Sequence, residues 1–215
     1  MREGKAKYLN RGFIRGSIMY IESQRNYLRF LVITDGAREK AELWVIAFDT
    51  ALLDGMRAGD LIELDCHIEI RVVIKLNKEK NEKKKYHEQR IIADSARLAK
   101  RALYYDAPEY LLDDVFNGGH PRDENSFQAA GILMNVYSPN DTMSIATIKT
   151  ADGNRNNLLN TACYRRQNDF VKGLEKNVSV VVTGSVINGT VRPDGSKSEM
   201  FYCRDIARTY LEEDG

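Results

Sequence analysis

The sequence predicts an all-β protein with short helices, folded as two tandem five-stranded Greek-key barrels. Three observations predict it. Apolar alternation dominates the 215 residues, which is the period of half-buried strands. The strand order is written twice, at an offset that stays between 111 and 117. In each copy one helical stretch falls between the third and fourth strands.

The first copy reads "FIRGSIMYIE" (13–22), "YLRFLVIT" (27–34), "ELWVIAF" (42–48), "DLIELDCHIEIRVVI" (60–74) and "YHEQRIIADSA" (86–96), all rich in β-branched and aromatic residues. Between the third and fourth, "DTALLDGMRAGD" (49–60) predicts a helix. Asp49 or Thr50 caps it, Leu52, Leu53 and Met56 share a face, and Gly59 ends it. The second copy reads "FQAAGILMNVY" (127–137), "TMSIATIKT" (142–150), "NLLNTACY" (157–164), "NVSVVVTGSVI" (177–187) and "EMFYCRDIA" (199–207). Its helix is "RRQNDFVKGLEK" (165–176), with Phe170, Val171 and Leu174 as the apolar face. Gly16 matches Gly131, Phe48 matches Tyr164, and an Asp-x-Ala-Arg echo at Asp94 and Asp205 closes each copy. Five strands with a helix in that gap is the order of an OB-fold. An unrelated five-stranded β-sandwich is the rival.

The expected boundaries are 1–100 for the first barrel, 101–125 for a connector and 126–215 for the second barrel with a short acidic tip. Residues 1–100 hold 20 Lys and Arg against 15 Asp and Glu, whereas 101–125 hold 2 against 6. Asp106 caps a short connector helix over 107–116 with Leu111, Leu112, Val115 and Phe116 as its stripe. That helix either docks on a barrel or acts as an acidic latch competing with an anionic ligand.

Other classes find little support. No apolar run approaches the roughly 18 residues of a membrane span, and the charged start lacks a signal-peptide core. Cys66, Cys163 and Cys203 give no even disulfide framework, so a reducing cytoplasm is expected. His67, His87 and His120 are scattered and no Cys-x-x-Cys or phosphate loop occurs. The expectation is a non-enzymatic protein without metal or cofactor. Asp94 and Asp205 are expected to be structural, ion-paired with Arg97 or Arg208.

Several stretches recur in a fixed order: "LNRGFIRG" (9–16) and "NSFQAAG" (125–131), "FLVIT" (30–34) and "MSIAT" (143–147), "VIAFDTALL" (45–53), then "AGDLIELD" (58–65) and "EKNVSVVVTG" (175–184). Together they resemble the bacterial-type single-stranded-DNA-binding proteins. That family carries N-x-x-x-L-x-G, F-x-L-A-T, V-V-A-F-G-K-L-A-E and K-G-x-x-V-x-V-x-G in the same order. The resemblance implies sequence-nonspecific binding and protection of single-stranded DNA in replication, recombination or repair, with replication or repair proteins as partners. Most members carry one barrel per chain and form tetramers, so two barrels per chain imply a homodimer supplying four. The family's tryptophan stands further ahead of the phenylalanine than Trp44 does of Phe48. The tip "LEEDG" lacks the family's terminal phenylalanine. A protein–protein adaptor of a replication or DNA-transfer complex is the alternative function.

A single-strand site needs cations for phosphates and aromatic faces for bases. Strand alternation puts Trp44, Ile46 and Phe48 on one face and Leu43, Val45 and Ala47 on the other. The smaller set suits the interior, which leaves Trp44 and Phe48 for the groove; a core role for both is the competing view. Tyr27 and Arg29 form a second outward pair. Asn160, Ala162 and Tyr164 hold the matching face in the second copy, leaving Tyr164 as its stacking group. The run "KLNKEKNEKKKYH" (75–87) is expected as a loop between strands four and five. There Lys75, Lys78, Lys83, Lys84, Lys85 and Tyr86 either track a backbone or only solubilise the chain. Arg11, Arg15, Arg38 and Lys40 are further phosphate candidates on the first barrel. Arg155, Arg165, Arg166 and Arg192 serve the second. The first barrel is expected to bind more strongly.

Overall fold

The computed structural model describes residues 5–6, 9–35, 40–77, 82–100, 124–152, 155–191 and 197–211. The connector helix expected over 107–116 and the acidic tip lie outside them. After a two-residue strand β1 (Lys5–Ala6), the first barrel runs β2 (Leu9–Ser23), β3 (Leu28–Asp35), β4 (Lys40–Ala47), β5 (Leu61–Asn77) and β6 (Glu82–Lys100). The second runs β7 (Glu124–Asn140), β8 (Met143–Asp152), β9 (Arg155–Tyr164), helix α1 (Arg165–Lys172), β10 (Ser179–Val191) and β11 (Lys197–Arg208). A short β12 (Tyr210–Leu211) pairs in parallel with β1.

Each set closes on itself. The first half of β2 pairs with β5 and its second half with β3, and β4 joins β6 in parallel through Val45–Ile46 against Ile91–Ile92. β7 does the same with β10 and β8, and β9 meets β11 through Thr161–Ala162 against Phe201–Tyr202. A closed ring with one short parallel contact is the OB-fold and excludes the sandwich. The interior follows the alternation: Leu43, Val45 and Ala47 are sealed, as are Ile14, Ile18 and Phe30. Each such large side chain contributes about 1.5–3 kcal/mol on leaving water.

Three local devices are repeated. Asn10 Nδ2 donates to the Ile68 carbonyl at 2.6 Å and its Oδ1 accepts from the Ile68 N–H at 3.1 Å. Asn125 clamps Val186 with the same two bonds and the same lengths. The glycines that follow, Gly16 and Gly131, lie against the carbonyls of Ile33 and Lys149, where a Cβ would overlap backbone oxygen. The third device is a bulge in the first strand of each barrel, after Ile18 and after Leu133. It turns out Met19 and Met134, 37% and 39% exposed, and bends the strand from one partner to the next.

The helices depart from expectation. In the first barrel only a 3₁₀ turn forms, Thr50–Leu53, with the Asp49 carboxylate accepting from the Ala51 N–H at 3.0 Å. Gly55 and Gly59, both at positive φ, end helical geometry early. In the second barrel α1 buries Val171 and Asn168, while Phe170 faces out. Asn168 is held by Ser144 and the Asp141 carbonyl, so a polar latch ties the helix to the β7–β8 hairpin.

The barrels are joined by their first strands. β2 and β7 pair antiparallel from Leu9–Ala130 to Arg15–Glu124, making one ten-stranded sheet. Gly12 and Phe127, each two residues after its clamping asparagine, face one another across this seam. The Phe127 ring occupies the space a Gly12 side chain would need. A second contact is reciprocal. Gln89 Oε1 accepts from the Asn160 N–H, and Glu199 Oε1 accepts from the Trp44 N–H, both at 2.8 Å. Asn188 also brackets Glu42, accepting from its N–H and donating to its carbonyl at 2.8 Å each.

Candidate nucleic-acid interface

β4 carries the centre of the site. With Leu43, Val45 and Ala47 turned inward, Trp44 and Phe48 stand on the outer face; Trp44 is half-buried and Phe48 is 56% exposed. Arg29, from the neighbouring strand, lies over the indole with its guanidinium carbon 3.9 Å from the ring centroid. Tyr20 meets the other side of Trp44 edge-on, at 6.3 Å and 89°. Tyr27 meets Phe48 at 6.3 Å and 67°. The outer surface of β2, β3 and β4 is thus a run of four rings with one cation inserted. Sequence reasoning missed Tyr20. Alternation from Ile14 through Ile18 points it inward, and only the bulge at Met19 reverses it.

The predicted cations are spread over several surfaces. Among the described side chains, Arg29 joins the rings. Lys40 opens β4, half-buried, in register with Asp35. Arg15 is held by Glu63 at 2.8 Å on the outer face of β2 and β5, away from Trp44. Arg11 shares that face and donates to Gln128 at 3.3 Å. The lysine run is mostly hairpin rather than loop: β5 continues to Asn77 and β6 begins at Glu82, in register from Val73–Tyr86 to Asn77–Glu82. Lys75, Lys84 and Lys85 are therefore strand positions, and Lys83 is an exposed one. Lys78, Arg38 and Arg192 lie outside the described residues. On the second barrel Arg155 begins β9 opposite Asp152, and Arg165 and Arg166 are exposed at the start of α1.

The matching face of the second barrel has different chemistry. Trp44 and Asn160 each stand one residue before the closing contact, so they are structural equivalents. Asn160 accepts from the Thr147 hydroxyl at 2.8 Å. Ile145 takes the place of Arg29, each being opposite the residue two beyond Asn160 or Trp44. Tyr164 retains a ring and stacks on Tyr202 at 5.6 Å and 27°. Tyr202 was not singled out from sequence, because it reaches Tyr164 only through the parallel contact of β9 with β11.

The outer face of β2 and β7 carries a cleft of about 670 Å³ across the seam, lined by Arg11, Asp65, Asp94, Gln128 and Arg204 among others. The expected ion pairs of Asp94 with Arg97 and of Asp205 with Arg208 are corrected here. Asp94 receives the His67 Nδ1 at 2.8 Å, Arg97 binds Glu63, and Asp205 lies 3.9 Å from Arg166. The cause is a bulge that skips Asp94 in one copy and Arg204 in the other. The Asp-x-Ala-Arg echo is therefore one residue out of structural register. The Asp94 hydrogen bond holds His67 above its ordinary pKa, against the pull of burial. Burial, with Asp94 and Asp65 adding, pushes the Cys66 thiol well up. A thiol so protonated is a poor nucleophile.

No protein-family model matches the sequence, and no curated protein matches it. Among solved structures the chain is similar to the wild-type single-stranded DNA binding protein from Thermus aquaticus. The two are 16% identical with a TM-score of 0.64, over 98% of this chain and 97% of that one. A deletion mutant of the Thermus aquaticus protein aligns at 14% identity and a TM-score of 0.63, over 97% of this chain and 98% of that one. The likeness is one of fold, and it covers both barrels. Among the described residues no helix is long and apolar enough to cross a membrane.

Proposed function

We propose that the chain binds single-stranded DNA as a non-enzymatic member of the bacterial-type single-stranded-DNA-binding family, protecting unpaired strands in replication, recombination or repair. One observation carries the reading: Tyr20, Trp44, Phe48 and Tyr27 stand on one outer face with Arg29 inserted over the indole. Unpaired bases stack on such rings whatever their identity, each contributing about 1–3 kcal/mol. Arg29 leaves the indole for a phosphate when a base takes its place. Lys83, exposed on the β5–β6 hairpin, offers a further cation for a backbone. A homodimer supplies four barrels; the cleft over the seam, with Arg11, Asp65 and Asp94 from the first barrel and Arg204 from the second, carries charges of both signs, as a self-complementary contact needs.

Trp44 is the only tryptophan, so its emission reports on this site alone. Titration with poly-dT quenches it, and raising salt weakens binding with a log–log slope of about −0.7 per neutralised phosphate. No quenching, no mobility shift and capture of a replication protein instead would overturn the proposal in favour of an adaptor.

A further inference from the structure

The two barrels close through the same short parallel contact with different residues beside it. In the first, Val45 and Ile46 stand in register with Ile91 and Ile92. One residue further along, each strand turns an alanine inward, Ala47 and Ala93, both buried. In the second, Thr161 and Ala162 stand in register with Phe201 and Tyr202. One residue further along, each strand turns a cysteine inward, Cys163 and Cys203, both buried. A facing pair of alanines in one copy is thus a facing pair of cysteines in the other.

The geometry suits a covalent bond. Neighbouring strands run about 4.8 Å apart. Residues opposite one another therefore have Cα atoms inside the roughly 4.4–6.8 Å over which a disulfide closes. Both side chains enter the same interior, and the thiols already meet. A hydrogen bond with Cys163, followed by burial, pushes the Cys203 thiol well above its ordinary pKa. Both cysteines are free thiols. Cys66, the third, stands in register with Gly12 and Ala93, so no cysteine lies opposite it on either neighbouring strand.

We propose that Cys163 and Cys203 are a redox-sensitive staple, which hydrogen peroxide oxidises to a disulfide that fastens β9 to β11. One sulfur attacks a peroxide oxygen and breaks the O–O bond, giving a sulfenic acid and water. The other sulfur then attacks that sulfenic sulfur; the S–S bond forms and a second water leaves. The peroxide takes both electrons and both thiol protons. A buried, protonated thiol attacks slowly, so the reaction runs through local opening of the contact. That contact is only two register pairs long, and short closures open ahead of the whole barrel. The bond lies beneath the outer ring pair, since Tyr164 follows Cys163 and Tyr202 precedes Cys203. Oxidation therefore pins the backbone that carries the two tyrosines, a device for which the first barrel has only alanines. The inference goes beyond the single-strand reading and does not depend on it.

The test uses the full chain in its native state. The reduced protein is held with hydrogen peroxide at neutral pH, remaining thiols are alkylated, and the peptides are mapped by mass. The expected product is a cross-link between Cys163 and Cys203, with Cys66 alkylated. The melting temperature is expected to rise by about 10 °C and to fall back with dithiothreitol. The double variant Cys163→Ala with Cys203→Ala copies the first barrel's arrangement; it is expected to fold and to show no such rise. Alkylation of all three cysteines after peroxide, oxygen added to sulfur without a cross-link, or a cross-link that leaves the melting temperature unchanged overturns the staple.

Discussion

The two barrels close in the same way and face outward differently. Both carry the asparagine clamp, the glycine against a carbonyl and the bulge in the first strand. On the outer face the first presents Tyr20, Arg29 and Trp44, where the second presents Asn135, Ile145 and Asn160. Closure is constrained from every side by backbone, so any change there breaks hydrogen bonds or forces overlap. On the outer face the side chains are less constrained, although Glu199 and Gln89 hold the backbone of Trp44 and Asn160. At these three positions one copy carries rings and a cation and the other carries two amides and an isoleucine, while both keep a ring at Phe48 and Tyr164. The seam shows the same logic in reverse: Gly12 and Phe127 are equivalents that differ because they touch each other.

The largest effect tests that seam. Gly12→Val drives a side chain into the Phe127 ring and should cost about 3 kcal/mol by denaturant unfolding. Adding Phe127→Ala should recover part of the loss, because the two positions share one space. Independent, additive losses would mean that the barrels do not interlock there. Next comes the contrast in stacking. Trp44→Ala should weaken binding to poly-dT by about 2 kcal/mol, and Tyr164→Ala by less. An equal or larger loss at Tyr164, read by anisotropy, would place the stronger site in the second barrel.

The clamps sharpen the comparison further. Asn125 is buried and Asn10 only half-buried. Asn125→Ala should therefore destabilise more, by about 1.5 kcal/mol, since it leaves the Val186 N–H and carbonyl without partners away from water. The smallest effect is a pH dependence confined to the first barrel, because Ser185 holds the position equivalent to His67. The Asp94 hydrogen bond raises the His67 pKa above its ordinary 6.5, and Glu69 adds to it. The resulting stabilisation is full below 6.5 and fades as pH rises through the raised folded value. Melting temperatures across that window should fall with pH in the wild type and respond less in Asp94→Asn.

Much of this was readable from particular residues. The alternation of Leu43, Val45 and Ala47 against Trp44 and Phe48 assigns the faces of β4 without coordinates. The matched Asn10–Gly16 and Asn125–Gly131 segments locate both first strands. Tyr20 was hidden because a bulge adds one residue and inverts the alternation. The same effect at Asp94 and Arg204 made the Asp-x-Ala-Arg echo look like an equivalence. The stretch after Phe48 scored as a helix because Leu52, Leu53 and Met56 fit the helical period, while the positive φ at Gly55 cuts it short.

Local pattern alone determined that this chain is duplicated, that it is built of strands, and which face of most strands is apolar. Those properties follow from side-chain size and a period of two, and each is carried by neighbours in sequence. Only the tertiary structure decided that Gly12 meets Phe127 and that Glu199 and Gln89 cap the opposite barrel's strands. Those depend on contacts between residues more than 70 positions apart. Such contacts are fixed by register and packing, to which a sequence period is blind.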